Sequence, residues 1–204
     1  MMQNWYQNGR YMLTPKGTYS VTMSYNAMLG SLRKMQEVDL VWTKVMLPKQ
    51  RFIVWLANQE RLLTKERLLR LHIPVDDETC WLCEEGILET QQHLFAECSW
   101  TMEVRNKLVA WSGVQMQRNG VKQTIKWIKR RSWSQLKKEL ITGIWGAMIY
   151  HIWQARNRKQ FRNVSITTSF IVEQIQKEIR HRVEGILGTK RVVRCASLLQ
   201  RLCN

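Results

Sequence analysis

The chain has 204 residues, 45% of them hydrophobic, with ten tryptophans, and its 32 Lys+Arg against 16 Asp+Glu give a formal charge of +16. That apolar content over this length fills a real core, which excludes a wholly disordered chain. The charge favours a polyanionic partner, RNA or DNA or an anionic membrane face. Five cysteines with no secretory leader argue against a disulfide framework and for a reducing compartment, nucleus or cytoplasm.

The first acid is Glu37, while Arg10, Lys16, Arg33 and Lys34 precede it, so the N-terminus also has the composition of a mitochondrial presequence. Pro15, Gly17 and Thr18 predict a turn, and Val21, Tyr25, Met28, Leu29 and Leu32 then recur at helical spacing to about Met35. Pro48 suits the first turn of a helix with Phe52, Ile53, Trp55 and Leu56 as its apolar face. Thr64 is the expected N-cap of the next helix, lined by Leu68, Leu69 and Leu71 and halted by Pro74.

Cys80, Cys83, His93 and Cys98 follow at the spacing C-x2-C-x9-H-x4-C. Thiolate and imidazole are the ligands zinc prefers, and the two-residue gap lets one tight turn aim two sulfurs at one point. Four protein ligands leave no open position, which describes a structural metal rather than one that activates water. A redox C-x-x-C expects a strand before it and a helix after it, whereas loop residues flank this pair: Pro74, Asp76 and Asp77 before, Glu84, Glu85 and Gly86 after. Within the knuckle, Glu89 to Cys98 is expected to form a short helix carrying His93, with Leu94 and Phe95 packed beneath the metal. Trp81 has two roles open to it, base stacking or packing over the zinc turn.

The strongest periodicity comes later. Leu136, Leu140, Ile141, Ile144, Trp145, Met148, Ile149, Ile152 and Trp153 trace a wide stripe on a helix from about Ser134 to Phe161. Its most apolar part, Leu140 to Trp153, is shorter than the roughly 20 residues a bilayer requires, so no membrane span is expected. A last helix, about Thr168 to Leu187, carries Ile171, Ile175, Ile179 and Val183 at i+4 steps, with Lys177, Arg180 and Arg182 on the opposite face. Gly185 and Gly188 loosen its end, and a flexible basic tail is expected beyond it.

Charge is unevenly placed. Residues 1–75 carry 11 basic against 4 acidic groups, residues 76–125 carry 4 against 8, and residues 126–204 carry 17 against 4. The knuckle is therefore the acidic part, and phosphate contacts are expected to either side of it. Lys126, Lys129, Arg130 and Arg131 cluster beside Trp127 and Trp133, joining charge for phosphate to aromatic faces for unpaired bases. Arg156, Arg158, Lys159 and Arg162 form a second basic group. The alternative for both is a solvated face beside buried tryptophans.

Support for catalysis is slight. Asp76, Asp77 and Glu78 offer carboxylates to a hard cation but read better as solvating the approach to the knuckle. His72 sits at a helix end, His151 among core residues and His181 among basic ones, and no nucleophile has a base and an orienting group at readable spacing.

The run from Cys80 to Cys83, with Glu89 to Cys98, resembles the zinc-binding domain at the C-terminal end of plant non-LTR (LINE-type) retrotransposon reverse transcriptases. Gly17 to Val21 with Ser24 and Tyr25 is similar to that family's G-x-[FY]-S-V-x-x-[SA]-Y element. Trp42 to Pro48 with Trp55 to Ala57 is similar to its tryptophan-proline-helix segment. Arg61 to Thr64 with Arg67 and Leu68 match its arginine-leucine element, and Trp145, Trp153, Arg156 and Asn157 its tryptophan-rich helix. The resemblance implies zinc on the four ligands and a grip on RNA or target DNA. The paired aspartates of a polymerase palm are absent, since Asp39, Asp76 and Asp77 are the only aspartates, so the chain looks like a stand-alone, domesticated fragment.

The expectation is thus a mainly α protein with a central CCHC zinc knuckle at 78–99. Residues 1–110 form the zinc-binding domain and 111–204 a basic, tryptophan-rich helical region. Its expected function is non-enzymatic nucleic-acid binding of low sequence specificity. The alternative is a domesticated protein-interaction module that regulates or antagonises another protein.

Overall fold

The computed structural model describes residues 6–7, 10–11, 21–22, 25, 39–116, 119–185 and 195–203. The chain separates into two units, 1–36 and 37–204, rather than dividing near residue 110. In the first, strands β1 (Tyr6–Gln7) and β2 (Arg10–Tyr11) pair antiparallel, Tyr6 opposite Tyr11. Val21, Thr22 and Tyr25 are helical, as the spacing predicts. The Gly17–Ser20 element, Ser24, Met28, Leu29, Leu32 and Gly188 lie outside the described residues.

The second unit is helical. Pro48 opens α1 (Pro48–Asn58), pre-set for the helix and lacking only an N–H that would have no partner there. Its fully buried residues are Gln50, Val54, Ala57 and Asn58; of the expected apolar face, Ile53, Trp55 and Leu56 pack half-buried against the core and Phe52 is exposed. The helix packs on α5 (Gln135–Arg162), and Phe52 and Trp55 stack at 6.0 Å. Thr64 caps α2 (Lys65–Arg70) as expected, accepting from the Arg67 N–H. The residue this helix buries is Lys65; Leu68 and Leu69 are half-buried and Leu71 is exposed.

Two helices that the sequence reading passed over follow the knuckle, α3 (Ser99–Ser112) and α4 (Val121–Arg130). The long α5 begins at its Ser134 cap and buries all nine residues of the expected stripe. A side chain at Gly143 or Gly146 would overlap Val45 or Met46, so these two positions let the 40–46 segment lie directly on α5. The helix α6 (Thr168–Glu184) buries Ile171, Ile175, Ile179 and Val183 as expected. Gln50 of α1 donates to Glu178 of α6 at 2.6 Å, and His151 of α5 lies 3.2 Å from the same carboxylate oxygen, tying three helices together.

The expected flexible tail is corrected over 195–203. Residues Ala196–Cys203 form α7, whose Leu198, Leu199 and Leu202 are buried against α6 and α3. One core runs from Leu40 to Leu202 and includes Cys80, Leu94, Phe95 and Cys98. Among the described residues, no helix is long and apolar enough to cross a membrane.

Candidate metal centre

The first two ligands sit on a small hairpin. Thr79 bridges Leu88 antiparallel, the Cys80 N–H donates to Ile87 O at 2.7 Å, and the Glu89 N–H donates to Glu78 O at 2.9 Å. Gly86, at φ +71°, turns the loop in a conformation that side chains resist. Asp77 organises the near side: Oδ1 accepts from the Thr79 N–H and hydroxyl, each at 2.8 Å, and Oδ2 from the Trp81 indole. Those donors hold its carboxyl well below the usual range. Asp77 is thus a strut of the knuckle.

Trp81 resolves toward packing. The Lys65 ammonium lies 3.9 Å from its ring centroid and donates to Thr79 O at 2.5 Å, so a buried cation from α2 supports the zinc turn. Burial lowers the Lys65 pKa, against the pull of Asp77 and Glu89.

His93 and Cys98 come from a different device. Thr90 caps the next helical stretch, its hydroxyl accepting from the His93 N–H at 2.8 Å. The expected short helix begins at Gln91 rather than Glu89, and over His93–Glu97 it widens into a π turn closed by Cys98 N–H to His93 O at 2.8 Å. In an α-helix, residues five apart point about 140° away from each other. The wider turn brings His93 and Cys98 to one side. From α3, Thr101 donates to Leu94 O at 2.7 Å, and the buried Arg105 donates to the Phe95 and Ala96 carbonyls, which fastens that turn.

The donor atoms of Cys80, Cys83, His93 and Cys98 all lie within 4.8 Å of one another. Cys80 and Cys98 sulfurs are 4.0 Å apart, and Cys83 Sγ is 3.4 Å from His93 Nε2. Four donors at about 2.1–2.3 Å from one tetrahedral ion stand roughly 3.5–3.8 Å apart, so the set fits zinc. All the cysteines are free. The shared hydrogen bond with Cys98, then burial, raises the Cys80 thiol pKa; burial raises that of Cys83, and the bond from Cys80 lowers that of Cys98. Metal binding must therefore expel protons held tightly in a buried site.

Behind the metal site lies a buried ion pair that sequence reasoning missed. The fully buried Glu89 receives Arg156 Nε on both its oxygens at 3.0 Å and Nη2 at 2.6 Å, and one bond from the Lys65 N–H at 3.1 Å. Arg156 is only 3% exposed and stacks over Trp153. Its expected phosphate contact is thereby corrected: the guanidinium faces the interior because Glu89, itself buried by the hairpin's return, requires a counter-charge. The second basic group divides accordingly. Lys159 reaches Glu84 at 3.3 Å and Ser165 at 2.9 Å, and only Arg158 and Arg162 stand exposed.

The first basic group stays at the surface. Arg131 lies 4.5 Å from the Trp127 ring centroid and 5.9 Å from that of Trp133, and the two rings meet edge to face at 5.4 Å. Lys126, Trp127, Arg130 and Arg131, with Asn119 and Gln123, line an open groove of ≈ 540 Å³ that contains no acid. Lys129, exposed on the same helix, approaches Asp39 at 3.9 Å.

Residues 19–104 match the family model described as zinc-binding in reverse transcriptase. All four ligands fall inside that span, which ends within α3. No curated protein and no solved structure matches the chain.

Proposed function

Because the chain carries a reverse-transcriptase-type zinc-binding domain over residues 19–104, we propose that it is a non-enzymatic nucleic-acid-binding protein derived from a retrotransposon. In this reading zinc is a fastener, and the helices beyond it bind RNA or DNA with low sequence specificity. The observation that carries it is the acid-free groove on α4, where Lys126, Arg130 and Arg131 surround Trp127. Guanidinium and ammonium groups hold phosphates, and aromatic edges and faces receive bases. The closed set of four protein ligands supports a structural rather than a catalytic role for the metal.

The test is binding of labelled RNA and DNA to the zinc-loaded chain over a range of salt. Affinity should fall steeply with added salt, and binding that stays undetectable at low salt overturns the proposal. A second reading, a protein-interaction module, is favoured by exposed Phe161, Val164 and Phe170 where α5 turns into α6. It predicts a partner retained in high salt.

A further inference from the structure

Next to the basic groove lies a cleft of ≈ 340 Å³ between α2 and α4, lined among others by Thr90, Gln91, Gln92, Gly120, Lys122 and Gln123. Gln123 lines both, so the two form one continuous surface along α4. Their chemistry differs. The groove is lined by three cations and no acid, whereas the cleft's lining includes Glu60 and Glu66: Arg70 pairs with Glu66 at 3.6 Å, and Arg67 donates to the Glu60 carbonyl at 2.7 Å. What the cleft presents instead is a set of amides.

Two of those amides converge on Gly120. A methyl group there would lie 2.6 Å from Gln92 Oε1 and 2.9 Å from Gln123 Oε1, contacts that side chains essentially never make. The ends of two side chains, one from the zinc knuckle's helix and one from α4, thus reach the same space beside Gly120. Gln92 Nε2 donates to Glu97 at 3.1 Å, and its oxygen lies on the Gly120 side. Along the helix, Lys122, Lys126 and Arg130 recur every four residues, which aligns them on one face at about 6 Å per step.

We propose that an unpaired strand of nucleic acid lies along α4, its phosphates on Lys122, Lys126, Arg130 and Arg131 and the edge of one base in the Gly120 cleft, read by Gln92 and Gln123. The volume is that of a small-ligand site, about 300–1,000 Å³. Amide donors and acceptors match base edges, and these are available only where a base is not paired. This inference rests on the nucleic-acid reading above and adds to it a division of labour. The groove supplies affinity without sequence information, and the cleft adds hydrogen bonds to the edge of an unpaired base.

The experiment compares one labelled oligonucleotide, single-stranded and annealed to its complement, in RNA and DNA forms, on the zinc-loaded full chain. Gln92→Ala/Gln123→Ala should weaken single-strand binding about tenfold, leaving duplex binding and the salt slope unchanged. Gly120→Ala, which keeps both amides but displaces them, should show the same selective loss; it is the second variant should the double one fold poorly. Lys126→Gln/Arg130→Gln/Arg131→Gln should instead flatten the log–log salt slope for single strands by about 2. Amide variants that bind single strands like the wild type overturn the cleft, as does an equal loss on single strand and duplex. Wild-type protein that binds no oligonucleotide overturns the nucleic-acid reading itself, and the cleft with it.

Discussion

The two basic clusters look alike in sequence and differ in the fold. Lys126 to Arg131 and Arg156 to Arg162 each place four cations within seven residues, close to tryptophans. In the first, on α4, Arg130 and Arg131 are exposed and the cluster lines an open groove. In the second, Arg156 is sealed against Glu89 and Lys159 is engaged by Glu84 and Ser165. What separates them is the partner across the interface. Near α4 the acid is the exposed Asp39, while under α5 a buried carboxylate from the zinc hairpin demands a cation. Whether the nearest acid is buried thus decides which cluster stays open to solvent.

Removing the metal should have the largest effect. Structural zinc contributes about 10–16 kcal/mol of apparent binding energy in small sites, so a strong chelator or Cys83→Ser should unfold the middle of the chain, followed by circular dichroism and metal content, one zinc per chain. Because the thiols of Cys80 and Cys83 hold their protons tightly, zinc affinity should fall as pH is lowered through the neutral range. Metal titrations at several pH values read that trend, and a pH-independent affinity would contradict the thiol ligands.

Next in size is the buried pair. Arg156→Ala should cost about 3–5 kcal/mol in denaturant unfolding, because it strands a buried carboxylate, and Glu89→Leu/Arg156→Met should recover much of that loss. Additive effects would mean the two groups are not coupled. Substituting Arg130 and Arg131 with Gln should change stability by only about 0.5 kcal/mol or less while weakening nucleic-acid binding, the reverse of Arg156. The smallest effect concerns Glu178. Burial alone would raise its pKa, but the His151 hydrogen bond and charge, with Lys49 and Gln50, hold it below the ordinary glutamate value. Its stabilising contribution is complete above that ordinary value and is lost as pH falls through the lowered one. Glu178→Gln should therefore flatten the acid side of the stability profile.

Several features were legible because each is written in local spacing. Cys80, Cys83, His93 and Cys98 declare themselves by residue type, and α5 and α6 by long apolar periods. The helix α3 escaped because its buried face mixes Val104 and Leu108 with Thr101, Arg105 and Ser112, which breaks the apolar period. Leu198, Leu199 and Leu202 carried a readable one-turn pattern on α7, obscured by the basic residues before it. Lys65 and Glu89 gave no signal and Arg156 read as one of a basic cluster, since a charge reads as solvated until a partner from a distant segment is placed beside it.

By itself, then, the sequence determined the ligand set, the helical class and the two apolar helices, all of which depend on residues near one another in the chain. Tertiary structure decided which basic cluster remains open, how His93 and Cys98 come to share a side through a π turn, and that the ends of Gln92 and Gln123 both reach Gly120. Those outcomes depend on contacts between distant segments, as between Glu89 and Arg156, 67 residues apart. Desolvation sets their energy, and only the packed chain specifies which groups lose water.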